Sequence, residues 1–292
     1  MNQSSSGSII CFLVINQIKE YPVWVIQSCL ENSNLDLYLG YINEEDVSSL
    51  PKNQRIKLLK LTPNYNNSST SYIGFDKFEF FQLVSLKWKM FQLLFQMGYE
   101  HIIYSDLDVI WFRDVPQTLL EIHEKFPSQS VLIQDATFDP SNPRLCMGLI
   151  SIKKNIKTME MLQTCYDAHM LKIDDGIAIG DDDIITDFYL TRDASNWIRL
   201  LPQIAFPVGS LLNAFRNNSL IPGLRPTFPE PNRHQPYIFH ANFTVGERNK
   251  RLLIRLALQV MSHEFEITPR WRLILFIKRV RELRRNFTNE SS

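Results

Sequence analysis

The residues best suited to chemistry are Asp106 and Asp108, in the run Tyr104-Ser105-Asp106-Leu107-Asp108-Val109-Ile110-Trp111. Two carboxylates one residue apart, in an extended turn, can both give oxygens to one hard divalent cation such as Mn2+ or Mg2+. A cation held that way also takes oxygens from a diphosphate, neutralising it and helping a nucleoside diphosphate to depart. On its own an Asp-x-Asp pair is more often a solvated turn. Here it follows the apolar run HIIYS at 101–105 and precedes VIWF. That places it at the end of a strand, where open α/β sheets bind their ligands.

A second acidic group, Gly180-Asp181-Asp182-Asp183, stands just ahead of the helical pattern IITDFYL. Acids at a helix N-terminus are favoured by the macrodipole alone. Asp182 and Asp183 can in addition hydrogen-bond sugar hydroxyls or steady the positive charge that develops at an anomeric carbon, which makes them the candidate catalytic pair. The third group runs from His240 through Ala241 and Asn242 to Gly246 and Lys250, after the strand-like PYIF. A neutral imidazole at His240 can complete a carboxylate metal site. Gly246 permits close approach of the backbone to a ligand, and Lys250 offers a point charge to a departing phosphate.

Something must carry these groups, and the first half of the chain reads as alternating strands and helices. SIICFLVI at 8–15 is strand-like, YPVWVIQSCL helical, and LDLYLGYI and IKLLKL strand-like again. The polar TPNYNNSSTSY is a loop before one long helical pattern over 79–97, which Gly98 stops. This rhythm predicts an α/β fold with a mostly parallel sheet and helices on both faces. In the second half VLIQ at 131–134 and GLISI at 148–152 read as strands and 157–171 as a helix, while the Pro-rich stretch at 202–236 reads as an irregular wall or lid. No internal repeat is evident, so one domain over 1–250 with a C-terminal extension over 251–292 is the economical division.

Composition narrows the class. Apolar residues make up 45% and charged residues 21%, which excludes disorder and low-complexity architectures. Lys and Arg number 31 against 31 Asp and Glu, so no overall basic charge points to nucleic acid. Cys11, Cys29, Cys146 and Cys165 form no C-x-x-C pair, and neither a zinc ribbon nor a disulfide scaffold is supported. The neutral total is unevenly spread. Arg270, Arg272, Lys278, Arg279, Arg281, Arg284 and Arg285 interleave with Leu273, Phe276, Ile277, Val280 and Leu283 at helical spacing. Such a basic amphipathic helix either packs its apolar stripe on the body or makes peripheral contact with a membrane surface. The run at 8–15 is too short to span a bilayer and lacks a basic flank, so the chain reads as cytoplasmic. A Golgi-lumen location is the alternative if an anchor precedes it, and sequons such as Asn217 and Asn242 would matter only there.

Taken together the landmarks resemble the nucleotide-diphospho-sugar transferases of the kind grouped as glycosyltransferase family 77, with a GT-A-type, Rossmann-like fold. The resemblance lies in four segments. They are the helix bearing Lys87 and Lys89 that leads through Gly98 to Ser-Asp-Leu-Asp-Val; Cys146-Met147-Gly148-Leu149-Ile150; Leu201-Pro202 with Phe206-Pro207-Val208-Gly209; and His-Ala-Asn with the later Gly and Lys. It implies a UDP-sugar donor, Mn2+ or Mg2+, an acceptor that is a glycan, protein or lipid, and transfer with retention. By the same resemblance Asp106 and Asp108 meet the metal, His240 ligates metal or phosphate, Lys250 holds the diphosphate, and Lys87 and Lys89 join the donor site. The chain departs from the family in having Asp182-Asp183 where Asp-Gln is common, and Asp187 where an Asn is. Two other readings use the same residues. A phosphohydrolase working through an aspartyl-phosphate also places Asp-x-Asp after a buried strand with a later Gly-Asp segment. A non-catalytic nucleotide- or carbohydrate-binding relic would need only the binding groups.

Overall fold

The computed structural model describes residues 7–15, 18, 20–50, 52–63, 73–74, 77–137, 141–203, 205–209, 236–242 and 247–261. Gly246, most of the Pro-rich stretch and the basic run at 270–285 lie outside the described residues. The described elements, in chain order, are β1 (Ser8–Leu13), α1 (Glu20–Glu31), β2 (Leu37–Tyr41), α2 (Glu44–Val47), β3 (Ile56–Lys60), α3 (Phe78–Val84), α4 (Leu86–Gln96), β4 (His101–Ser105), β5 (Val109–Trp111), α5 (Val115–Lys125), β6 (Val131–Asp135), β7 (Leu145–Lys153), α6 (Ile156–Asp174), α7 (Asp181–Thr191), β8 (Ile198–Leu201), β9 (Ile238–His240) and α8 (Glu247–Met261).

Seven strands form one sheet in the order β3-β2-β1-β4-β7-β6-β8, and β5 and β9 form a separate two-stranded ladder. Strands β3, β2, β1 and β4 are mutually parallel, β7 is antiparallel to both β4 and β6, and β8 is parallel to β6. The fold is therefore α/β with a mostly parallel sheet, as the rhythm of the sequence predicts. Alternation along β1 shows why helices cover both faces. Ile9, Cys11 and Leu13 join a core built with residues of α3, α4, α6 and α7. Ile10, Phe12 and Val14 join the opposite core, with residues of α1, α5, β5, β9 and α8. A strand that is apolar at every position must be buried on both sides.

Three sequence expectations need correction in detail. The single helix expected over 79–97 is two, α3 and α4, meeting at Ser85. The Ser85 hydroxyl donates to Gln82 O at 2.6 Å, and Trp88 N bonds back to Ser85 O at 3.3 Å, so the regular ladder is interrupted there. Gly98 does end α4, with φ of +96° that a side chain would resist. The strand at 148–152 is longer, running from Leu145, and His240 is the last residue of β9 instead of following it. Helix α8 runs through residue 250 and buries Ile254 and Ala257 beyond it.

Candidate functional site

Asp106 and Asp108 lie where β4 ends. Asp106 N donates to Gly148 O at 2.8 Å and Val109 N to Asp106 O at 3.1 Å, closing a tight turn between β4 and β5. Immediately after it β5 pairs antiparallel with β9, Val109 opposite His240 and Trp111 opposite Ile238. Ala241 N also donates to Asp108 O at 3.0 Å. This short ladder carries His240 to the two carboxylates across more than a hundred residues of chain.

The three side chains converge. One ligand atom from each of Asp106, Asp108 and His240 lies within 4.8 Å of the others. His240 Nε2 is 3.2 Å from Asp108 Oδ1 and 4.0 Å from Asp106 Oδ2. Asp108 Oδ1 is buried and makes no hydrogen bond. An unpaired buried carboxylate oxygen costs a kilocalorie or more, about 1–3 kcal/mol for a polar atom and more for a charged one. Its placement between two further donors fits a divalent cation, which two carboxylates and an imidazole can ligate together. Space for the ring is set by Gly148, because a Cβ there would stand 1.9 Å from His240 Cε1 and 2.6 Å from Nδ1.

Each carboxylate is paired with its own lysine. Lys250 Nζ is 2.5 Å from Asp108 Oδ2. Burial alone would raise the Asp108 pKa, but its neighbours, Lys250 foremost, outweigh it and hold the carboxyl well below its ordinary range. Burial would conversely lower Lys250, and Asp108 holds it raised. Lys87, buried in α4, is 3.4 Å from Asp106 Oδ1 and pairs more closely with Asp181 Oδ2. Its pKa is raised against the pull of burial by Asp106 and Asp181. Tyr104, whose hydroxyl donates to Asp106 Oδ1 at 2.5 Å, lies beneath that ammonium, 4.4 Å from ring centroid to Nζ. Burial and the neighbouring Asp106 push its phenol well above the ordinary value.

The acids of α7 divide by position. Asp181 belongs to the Lys87 network, deeper than the sequence suggests. Asp182 Oδ1 accepts from Met147 N at 2.6 Å, which fastens the start of α7 to β7 beside the cluster. Burial and the adjacent Asp181 raise Asp182 to about 7. Asp183 is half exposed and pairs with Arg144 at 3.0 Å. Lys89 is not brought to the cluster. Two residues along a helix from Lys87 it points elsewhere, donating to Thr62 O at 3.2 Å. Sequence reasoning missed Tyr104, Asp181 and Gln134 as parts of the site. Tyr104 and Asp181 adjoin motifs that were read, whereas Gln134 shows only as one amide closing an apolar strand.

The family described as nucleotide-diphospho-sugar transferase matches residues 45–254. Among curated proteins no sequence matches the chain. Similar solved structures include a glycosyltransferase involved in the glycosylation of the major capsid of PBCV-1, at 10% identity and a TM-score of 0.49, covering 85% of this chain and 98% of that one. The glycosyltransferase GlyE of Streptococcus pneumoniae TIGR4 shows 14% identity and a TM-score of 0.49, over 85% of this chain and 59% of that one. Mouse xyloside xylosyltransferase 1 in its apo form shows 13% identity and a TM-score of 0.48, over 82% of this chain and 98% of that one.

Proposed function

Because the chain belongs to the nucleotide-diphospho-sugar transferase family, we propose that it is a metal-dependent glycosyltransferase that moves a sugar from a UDP-sugar, or another nucleotide sugar, to an acceptor with retention of configuration. The observation that carries this reading is the convergence of Asp106, Asp108 and His240 around a buried carboxylate oxygen that makes no hydrogen bond. When bound, Mn2+ or Mg2+ supplies Lewis-acid neutralisation of the donor diphosphate. The chain's own residues do the rest. Asp106 and Asp108 hold the cation side of the donor, with Asp106 kept in place by Tyr104 and Lys87. Lys250 reaches a phosphate oxygen from its position on Asp108 and balances charge as the diphosphate departs. Asp182, pinned to the Met147 amide beside the cluster, faces the sugar and stabilises positive charge at the anomeric carbon. Asp183, at the rim with Arg144, contacts sugar hydroxyls there.

Membership of the family sets aside the aspartyl-phosphate reading. The test is donor hydrolysis: purified protein, Mn2+ and a panel of nucleotide sugars, scored for released nucleoside diphosphate. Release from one UDP-sugar, abolished by EDTA, is the expected result. Metal-dependent UDP binding with no turnover of any donor, with or without mixed glycan, peptide and lipid acceptors, would make the chain a binding relic instead.

A further inference from the structure

Gln134 sits in β6 with a fully buried side chain next to His240. A register shift between Ile133 and Gln134 places it opposite Cys146, near the turn that holds Asp106. The orientation of its amide follows from its neighbours. Gln134 Nε2 is 3.2 Å from Phe206 O, and a carbonyl oxygen only accepts, so the nitrogen must be the atom that faces it. The carbonyl end, Oε1, therefore lies 3.1 Å from His240 Nδ1 and can only accept in turn. A neutral imidazole with an acceptor at Nδ1 carries its proton there, which leaves a lone pair on Nε2. Cys146 Sγ stands farther off, 3.8 Å from Nδ1, and accepts from Asn242 Nδ2 at 3.2 Å. On the opposite edge of the ring Nε2 faces the two carboxylates, 3.2 Å from Asp108 Oδ1 and 4.0 Å from Asp106 Oδ2.

We propose that Gln134 is a positioning residue that holds His240 as its Nδ1–H tautomer, so that Nε2 is presented as a donor atom to a cation shared with Asp106 and Asp108. Phe206 O is the outer end of the device, since it fixes which way the amide points. A partner on the far ring nitrogen both orients the ring and raises the basicity of the ligating nitrogen. The tautomer stands on geometry alone, while its purpose rests on the metal-dependent reading above.

The test uses the full chain in three forms: wild type, Gln134→Leu, which removes both hydrogen bonds at similar volume, and Gln134→Glu, which keeps an acceptor for Nδ1. Long-range proton–nitrogen NMR of 15N-labelled, metal-free protein reports which nitrogen of His240 carries hydrogen. Mn2+ affinity follows from the electron paramagnetic resonance of free ion. The expected result is the Nδ1–H form in wild type and in Gln134→Glu, and its loss in Gln134→Leu. Mn2+ affinity should fall about 10- to 100-fold in Gln134→Leu, the usual effect of removing such an outer partner, and be largely kept in Gln134→Glu. A wild-type His240 protonated at Nε2, or Gln134→Leu with unchanged tautomer or unchanged Mn2+ affinity, would overturn the proposal. If wild type binds no Mn2+ but the tautomer still responds to Gln134→Leu, the positioning role stands and the metal-dependent reading falls.

Discussion

Asp108 and Lys250 are the pair on which charge at the site turns. The ammonium lies 2.5 Å from one carboxylate oxygen, while the other oxygen faces the imidazole without a hydrogen bond. One carboxylate thus has a side committed to the protein and a side left open. A nucleotide arriving with its diphosphate adds negative charge beside Lys250, and uridine alone adds none. Lys250→Ala should therefore weaken UDP about tenfold or more, within the range of a charge-assisted hydrogen bond, and weaken uridine much less. Titration calorimetry with both ligands checks this, and equal losses would remove Lys250 from the diphosphate. Lys87 has a different character. Two carboxylates surround it in a buried position, so it ties the Asp106 turn to the start of α7 and leaves little charge for a phosphate.

At the scale of elements, the ladder between β5 and β9 assembles the site, and Gly148 in β7 makes room for it. Gly148→Ala would put a methyl into the His240 ring, whose backbone is held by β5 and cannot retreat freely. Expected is a loss of Mn2+ affinity of about 10- to 100-fold with an unchanged far-ultraviolet spectrum, and full Mn2+ affinity would contradict the packing described. These elements also show what the sequence could and could not convey. The strands before the Asp-x-Asp pair were legible because they are apolar, regularly spaced and separated by helical patterns. The carboxylates and His240 were legible by type and by their position near strand ends. The pairing of β5 with β9 was not, since three-residue strands carry no periodicity and nothing local names a partner so distant. Gln134 was illegible for the same reason: its importance lies in one ring nitrogen and one carbonyl from far along the chain. Asp181 was read as one of three similar acids, because only packing decides which of them meets Lys87.

Across the whole molecule, acid should unfold this protein sooner than its neutral total charge suggests. Away from the site, His101 and His123 share the Ser151 hydroxyl at 2.7 and 2.9 Å, while His123 Nδ1 is 2.9 Å from Gln129 O. Burial lowers His101 to about 3 and His123 to about 4. The unfolded chain takes up these protons below about pH 6.5, and the folded one does not until far lower, so their stabilising share is complete above 6.5 and lost as the pH falls toward 4. Asp182, raised to about 7, acts in the opposite sense over this range, while His169, lowered chiefly by burial, adds to the effect of the pair. The net expectation is a loss of stability as the pH falls below 6.5, about 1.4 kcal/mol per pH unit for each proton that the unfolded chain binds in excess. Urea unfolding at pH 7, 6 and 5 measures it, with a shallower slope expected for His123→Asn. A midpoint independent of pH would mean that the pair is not held neutral.

The same long-range assembly makes one measurement decisive, because the proposed cation site exists only when β4, β5 and β9 are together. Titration of UDP into wild type with Mn2+, into wild type with EDTA, and into Asp108→Asn with Mn2+ isolates that site from everything else the fold does. Tight binding in the first case only, with Asp108→Asn folded as judged by circular dichroism, is the predicted result. Binding that survives EDTA, or that Asp108→Asn leaves unchanged in the presence of Mn2+, would contradict it.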